Sequence, residues 1–247
     1  ALAGDRHALD LIGGWRESDL DQMKPKVSVI VATTVDGKIT TSDNASSKFA
    51  SRRDLEHLLE VRSRHDAILA GAKTIINADP TFTSGYRYQN IRQKQGLPPN
   101  PIKCVVSGKG SVLPTARMFH HNDAPAAVFT TEQIPNKRLR ELSEVATVYY
   151  VGQTEVDFGQ ILRILADHYG VQQLLIEGGG SINAAAFQAG IVDDLYLTLC
   201  PKVAGGTDVP TAVEGHGFTL ANLVDLELQQ HQIIEGEVFL HYRVCSR

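Results

Sequence analysis

Three consecutive glycines, Gly178, Gly179 and Gly180, follow the apolar run Leu174-Leu175-Ile176-Glu177 and precede the small-residue stretch Ser181-Ile182-Asn183-Ala184-Ala185-Ala186. The pattern is that of a strand turning sharply into a helix. Glycine has no Cβ, so backbone N–H groups in such a turn can approach a ligand closely. A helix N-terminus adds unpaired donors and a partial positive charge, which suits a phosphate or pyrophosphate. Glu177 sets a carboxylate beside that anion site. Taken alone, the same glycines serve equally well as a plain strand-to-helix turn.

A second candidate is Ser107-Gly108-Lys109-Gly110-Ser111, a strand-end turn offering a hydroxyl and an ammonium to a phosphate group. It lacks the earlier glycine and the Gly-Lys-Ser/Thr order of a P-loop, and an ordinary solvated turn has the same composition. Nor does the glycine triplet make the G-x-G-x-x-G fingerprint, because Asn183 stands where the last glycine belongs. There is no G-x-S-x-G elbow. The nine histidines are scattered and no Cys/His set has ligand spacing, so no metal is expected.

Which elements must position these residues follows from periodicity. Residues 27–35 form a nearly unbroken β-branched run closed by Asp36-Gly37, a buried central strand. Ser51-Arg52-Arg53-Asp54 resembles a capping box, and Leu55, Leu58, Leu59 and Val61 suit an amphipathic helix of about three turns. Residues 66–70 read as a strand and 72–78 as a short helix stopped by Pro80. Residues 83–101, rich in Pro, Gln and Gly, read as a long surface loop. Strands at 102–106, 126–130 and 146–151, with helices at 136–145 and 158–169, continue the alternation. A β-rich segment at 194–200 and a hairpin of 223–230 with 237–244 around Glu235-Gly236 close the chain. The expectation is an α/β fold: a three-layer α/β/α sandwich with a mostly parallel mixed central sheet and an antiparallel C-terminal edge. One domain over residues 26–247 is favoured, with residues 1–25 as an N-terminal extension packing on or near it.

Composition is that of a folded globular protein, with 43% hydrophobic and 21% charged residues among 247. The formal charge of −4 argues against a nucleic-acid binder. No apolar stretch is long enough for a signal peptide or membrane helix, so no membrane partner is expected and the cytoplasm is the default location. Cys104, Cys200 and Cys245 lie far apart in strand-like segments and read as reduced core residues.

Four segments occur in a telling order: Val31-Ala32-Thr33-Thr34-Val35-Asp36-Gly37-Lys38-Ile39; Ala67-Ile68-Leu69-Ala70-Gly71-Ala72-Lys73-Thr74 running to Asp79-Pro80; the strand-Glu177-Gly-Gly-Gly turn; and Ala189-Gly190-Ile191-Val192-Asp193-Asp194-Leu195 with Pro201-Lys202-Val203. Together they resemble the reductase domain of riboflavin biosynthesis, which has a dihydrofolate-reductase-like fold, over roughly residues 26–244. The resemblance implies an NADPH-dependent oxidoreductase that reduces the ribosyl group of a phosphorylated ribosylaminopyrimidine to ribityl, and commonly a homodimer. The zinc deaminase signature is missing, which implies a stand-alone reductase. The resemblance also implies that Ala32, Thr74, Gly178, Gly179, Gly180, Ser181 and Ile182, with the helix start as far as Ala185, meet NADPH, with Ser107 and Lys109 at its 2′-phosphate. Ser46 and Arg62 are implied at the substrate, Arg62 at its phosphate, and Asp79 and Glu177 at both substrate and chemistry. Three positions depart from the family pattern: Ala78 precedes Asp79-Pro80 where an acid is common, Ile30 replaces a first-strand lysine, and Gly85 stands for an arginine with Arg87 nearby. These departures keep two alternatives open, a paralogue acting on a pterin or other heterocycle and a non-catalytic NADPH-binding module.

Overall fold

The computed structural model describes residues 24–45, 49–121 and 124–245. The expected N-terminal extension therefore lies outside the described residues except for Lys24 and Pro25, and so does Ser46. Nine strands form one sheet: β1 (Lys26–Thr34), β2 (Ala67–Gly71), β3 (Ile102–Val106), β4 (Ala126–Thr130), β5 (Thr147–Tyr150), β6 (Gln173–Ile176), β7 (Asp194–Cys200), β8 (Leu226–Ile234) and β9 (Glu237–Val244). Their order across the sheet is β5-β4-β3-β2-β6-β1-β7-β9-β8. Every pair from β5 through β7 is parallel, and β9 pairs antiparallel with both β7 and β8.

The central strands are apolar on both faces because each alternate residue feeds a different core. Val27, Val29, Leu69, Phe129, Leu174 and Ile176 pack on one side with Ile161, Leu162 and Leu165. Ile30, Ile68, Val105, Val128 and Leu175 pack on the other with Val61, Ile75 and Leu142. The first side is covered by α6 (Phe158–Tyr169) and α7 (Gly180–Gln188), the second by α1 (Arg52–Ser63), α2 (Ala72–Ala78), α4 (Arg117–His120) and α5 (Asn136–Ser143). This is the expected three-layer sandwich with an antiparallel edge.

Three expectations need correction. Within the stretch read as a loop lies a helix, α3 (Tyr86–Lys94). Its sequence is polar almost throughout, and it is held by Arg92, whose guanidinium is buried and donates to the carbonyls of Ser63, His65 and Pro98. Cys245 is exposed, whereas Cys104 and Cys200 are buried; it falls just beyond the end of β9. The last hairpin also runs further than its apolar signal, since β8 continues through Gln230, His231 and Gln232 to Ile234. An outer edge strand faces solvent, so polar residues are tolerated there.

Candidate active site

The chain lays down β1, skips one place, adds β2 to β5 outward, and returns to insert β6 between β2 and β1. In open parallel sheets, a reversal of this kind leaves a crevice at the carboxyl ends of the strands. A cleft of about 590 Å³ opens there, lined by Ala32 from β1, Gly71 and Thr74 at the β2–α2 junction, Ser107 past β3, and Glu177 through Asn183 past β6.

The glycine turn forms the floor. The Glu177 N–H donates to Leu69 at 2.9 Å, and Gly71 N–H to the Gly178 carbonyl at 2.8 Å, so the turn continues the β2–β6 pairing. Gly178 has φ +79°, a conformation that side-chain-bearing residues rarely adopt, and the Gly178–Gly179 peptide is cis. Gly179 caps α7, its carbonyl accepting from Ile182 and Asn183. A Cβ on Gly180 would lie 2.2 Å from the Thr211 carbonyl oxygen, which explains why this position tolerates only glycine. Segment 210–214 closes over the turn through Glu214 N–H to the Gly180 carbonyl at 3.2 Å and Ser181 Oγ to Glu214 Oε2 at 2.7 Å.

Opposite the turn stands helix α1. Ser51 caps it, its hydroxyl accepting from the Arg53 and Asp54 N–H groups. Asp54, Leu58 and Arg62, spaced by four residues, fall on one helical face, and all three line the cleft. Arg62 reaches across to Glu177 in a two-point ion pair, Nε to Oε1 at 2.6 Å and an Nη to Oε2 at 2.7 Å. A third donor goes to the Thr83 carbonyl at 3.0 Å, and the guanidinium lies 5.6 Å from the Phe82 ring centroid. Three of the five guanidinium N–H donors are thereby committed inside the protein.

Asp54 is the most perturbed acid of the cleft. Burial pushes its carboxyl up to about 6; the neighbouring Thr198 hydroxyl opposes this and the Glu237 charge adds to it. Among the described residues, two polar atoms of the cleft are buried without a partner, Thr40 Oγ1 and Asn183 Oδ1. The Asn183 amide nitrogen is tied to the Ala212 carbonyl at 2.8 Å, which aims the orphaned oxygen. Both orphans are able to accept a hydrogen bond, but neither has accessible surface toward the cleft.

The structure brings together Ala32, Arg62, Thr74, Ser107, Glu177, Gly178, Gly179, Gly180, Ser181 and Ile182 around this one cleft. It does not bring Asp79 or Lys109 there. Asp79 is the αL cap of α2 with φ +41°, and its carboxylate accepts from the Arg117 N–H at 2.8 Å. Its neighbours Ala78 and Pro80 line the cleft instead. Lys109 is exposed beyond the strand-end turn, while Ser107 is buried and its hydroxyl is shared with Ser111 and the Val112 N–H. Arg87 pairs with Glu56 outside the cleft. Asp54 and Thr40 were not legible as site residues, whereas Asn183 belongs to the helix start expected at NADPH. The one signal for Asp54 is its register with Leu58 and Arg62, masked by its apparent role in the helix cap.

Fold and cleft are those of a small-molecule enzyme built on a mixed sheet with its crevice at the switch point. Comparison with known proteins then fixes the family. The chain belongs to the RibD C-terminal domain family, whose model matches residues 25–240. It is 33% identical over 230 residues to the 2,5-diamino-6-ribosylamino-4(3H)-pyrimidinone 5′-phosphate reductase of Aquifex aeolicus, covering 91% of this chain and 98% of that protein. The protein of the same name from Methanothermobacter thermautotrophicus is 30% identical over 224 residues, with 90% and 99% covered. Among solved structures, a pyrimidine reductase-like protein from Corynebacterium diphtheriae superposes with a TM-score of 0.79 at 24% identity, covering 90% of this chain and 93% of that one. The fold is thus the dihydrofolate-reductase-like one. No helix among the described residues is long and apolar enough to cross a membrane.

Proposed function

We propose that this chain is an NADPH-dependent reductase of riboflavin biosynthesis, acting on the ribosyl group of a phosphorylated aminopyrimidine. The observation that carries this reading is a single cleft joining a glycine turn suited to a pyrophosphate with a buried arginine–glutamate pair. Relatives matched over nearly their whole length support it.

When bound, the reduced nicotinamide supplies the hydride that C1′ of the ribosylamino group accepts as its ring opens. The chain's own residues hold the reactants. The turn from Gly178 to Ser181 takes the cofactor pyrophosphate, and Ala32 and Thr74 flank it. Ser107 faces its adenosine end. Arg62 fixes the Glu177 carboxylate toward the substrate, and its two uncommitted N–H groups are what a substrate phosphate would meet. Asp79 acts in this reading as a helix cap, not in the chemistry.

The test is consumption of NADPH, followed by its absorbance, with the ribosylaminopyrimidine phosphate supplied. Turnover that needs both compounds is expected. Turnover of dihydrofolate in place of the pyrimidine, or tight NADPH binding with no acceptor reduced, would overturn the assignment.

A further inference from the structure

None of residues 83–101 lines the cleft, yet this stretch grips one cleft residue, Arg62, from two sides. On the main-chain side, Arg92 of α3 donates to the carbonyls of Ser63 and His65, just beyond Arg62, and to that of Pro98 near the far end of the stretch. On the side-chain side, the Thr83 carbonyl accepts from an Arg62 Nη at 3.0 Å, and the guanidinium lies over the ring of the preceding residue, Phe82. Phe82 is fully buried and has φ +52°, a left-handed backbone that a bulky residue keeps only where its surroundings over-determine it.

Those surroundings centre on Asn100. Its side chain is buried, and Oδ1 accepts from the Thr83 hydroxyl at 3.2 Å, the Ser84 N–H at 3.1 Å and the Gln89 amide at 3.1 Å. The Thr83 hydroxyl accepts in turn from the Gly85 N–H at 3.1 Å and the Gln89 amide at 3.0 Å, and the Ser84 hydroxyl donates to the Pro99 carbonyl at 2.8 Å. Residues 83 and 84 are thereby tied both to α3 and to the far end of the stretch.

The tie at Thr83 has a geometrical consequence for Arg62. Nε and one Nη meet the two oxygens of Glu177, and two contacts on one carboxylate leave the guanidinium free to swing about the line that joins them. The bond from the other Nη to Thr83 stops that swing. One N–H is then left on each Nη, a fork matched to two phosphate oxygens. Where the fork points is set by where the Thr83 carbonyl stands.

We propose that residues 83–101 are the scaffold that aims Arg62 at the substrate phosphate, with Asn100 as the positioning residue acting through Thr83. This rests on the reductase reading above and adds to it how a stretch outside the cleft sets substrate affinity.

The test measures kcat, the KM of the ribosylaminopyrimidine phosphate and the NADPH dissociation constant in the wild type, Asn100→Ala, Asn100→Asp and Thr83→Val. Asn100→Ala should raise KM about tenfold, the worth of one hydrogen bond to a charged group, with NADPH affinity at the wild-type value. Asn100→Asp keeps an acceptor oxygen for all three donors and should bring KM back to within about threefold of the wild type. Thr83→Val removes one tie and keeps the carbonyl, so it should raise KM about threefold, and it decides the matter where Asn100→Ala fails to fold. An Arg62→Lys background separates aiming from plain structural support. Lysine has no fork to aim, so adding Asn100→Ala there should raise KM by less than about twofold. A wild-type KM in folded Asn100→Ala or, where that does not fold, in Thr83→Val would overturn the inference. So would a loss of NADPH affinity by the same factor, or a rise in KM that multiplies fully with that of Arg62→Lys. A wild type that does not reduce this substrate with NADPH would instead overturn the reductase reading, and the inference with it.

Discussion

The Arg62–Glu177 pair allows a worked test of whether the cleft is held by buried electrostatics. Its side chains are 9% and 10% exposed, so solvent screens the interaction little. Arg62→Ala removes both charge-assisted bonds, the Thr83 tie and the contact with Phe82, and leaves the Glu177 carboxylate without its cation. Removing one partner of a buried pair costs about 3–5 kcal/mol, most of it the uncompensated charge. At about 2–4 °C per kcal/mol for a chain of this size, the melting temperature should fall by roughly 6–20 °C in a calorimetric scan. Replacing both partners by apolar residues, Arg62→Met with Glu177→Leu, should recover at least about 2 kcal/mol of that loss, because no charge is then left buried. The double variant should still show no turnover. An Arg62→Ala protein within about 1 kcal/mol of the wild type, the worth of an exposed ion pair, would refute the argument.

Three further outcomes follow from particular residues. Gly180→Ala should weaken NADPH binding at least about tenfold in a fluorescence titration and cost about 1–3 kcal/mol, because its Cβ meets the Thr211 carbonyl; Gly170→Ala, with open space around it, should leave NADPH affinity unchanged. Asp36, held down to about 2 by the Thr34 hydroxyl and the Ala204 and Gly205 N–H groups, has a folded-state value below its unfolded one. Its contribution is complete above about pH 4 and is lost as pH falls toward 2, so urea unfolding of wild type and Asp36→Asn should differ at pH 5 and converge at pH 2; a constant gap would contradict this. Asp79→Asn, which keeps an αL-tolerant residue at the α2 cap, should leave kcat unchanged, and a hundredfold loss would return that carboxylate to the chemistry.

The sheet was legible because its central strands are β-branched and buried on both faces, and the glycine turn because only glycine meets its steric demands. What escaped depends on partners distant in sequence. Arg92 looks like one more polar residue until three carbonyls, one from the end of α1 and two from loops, surround it. Asp54 looks like a helix cap because Glu237, 183 residues later, is what takes its place at the Ser51 N–H. Asp79 is a site residue only by the resemblance, as a stand-in for the acid missing at Ala78, and here the left-handed backbone at that position sets its carboxylate on the Arg117 N–H. Local pattern identifies elements, whereas the direction of a polar side chain is decided by whichever donor reaches it first.

The place of β6 has a consequence for how the protein is made. When the ribosome has delivered β1 and β2, the slot between them is still empty, and each presents an unpaired edge there until residues 173–176 arrive. More than a hundred residues are synthesised in that interval. The strand that fills the slot is followed directly by Glu177 and the glycine turn, so joining the two halves of the sheet also delivers the turn to the cleft. A nascent chain has two separate halves of a sheet, open to pairing with other strands, until β6 joins them, and β7 to β9 then extend the sheet beyond β1.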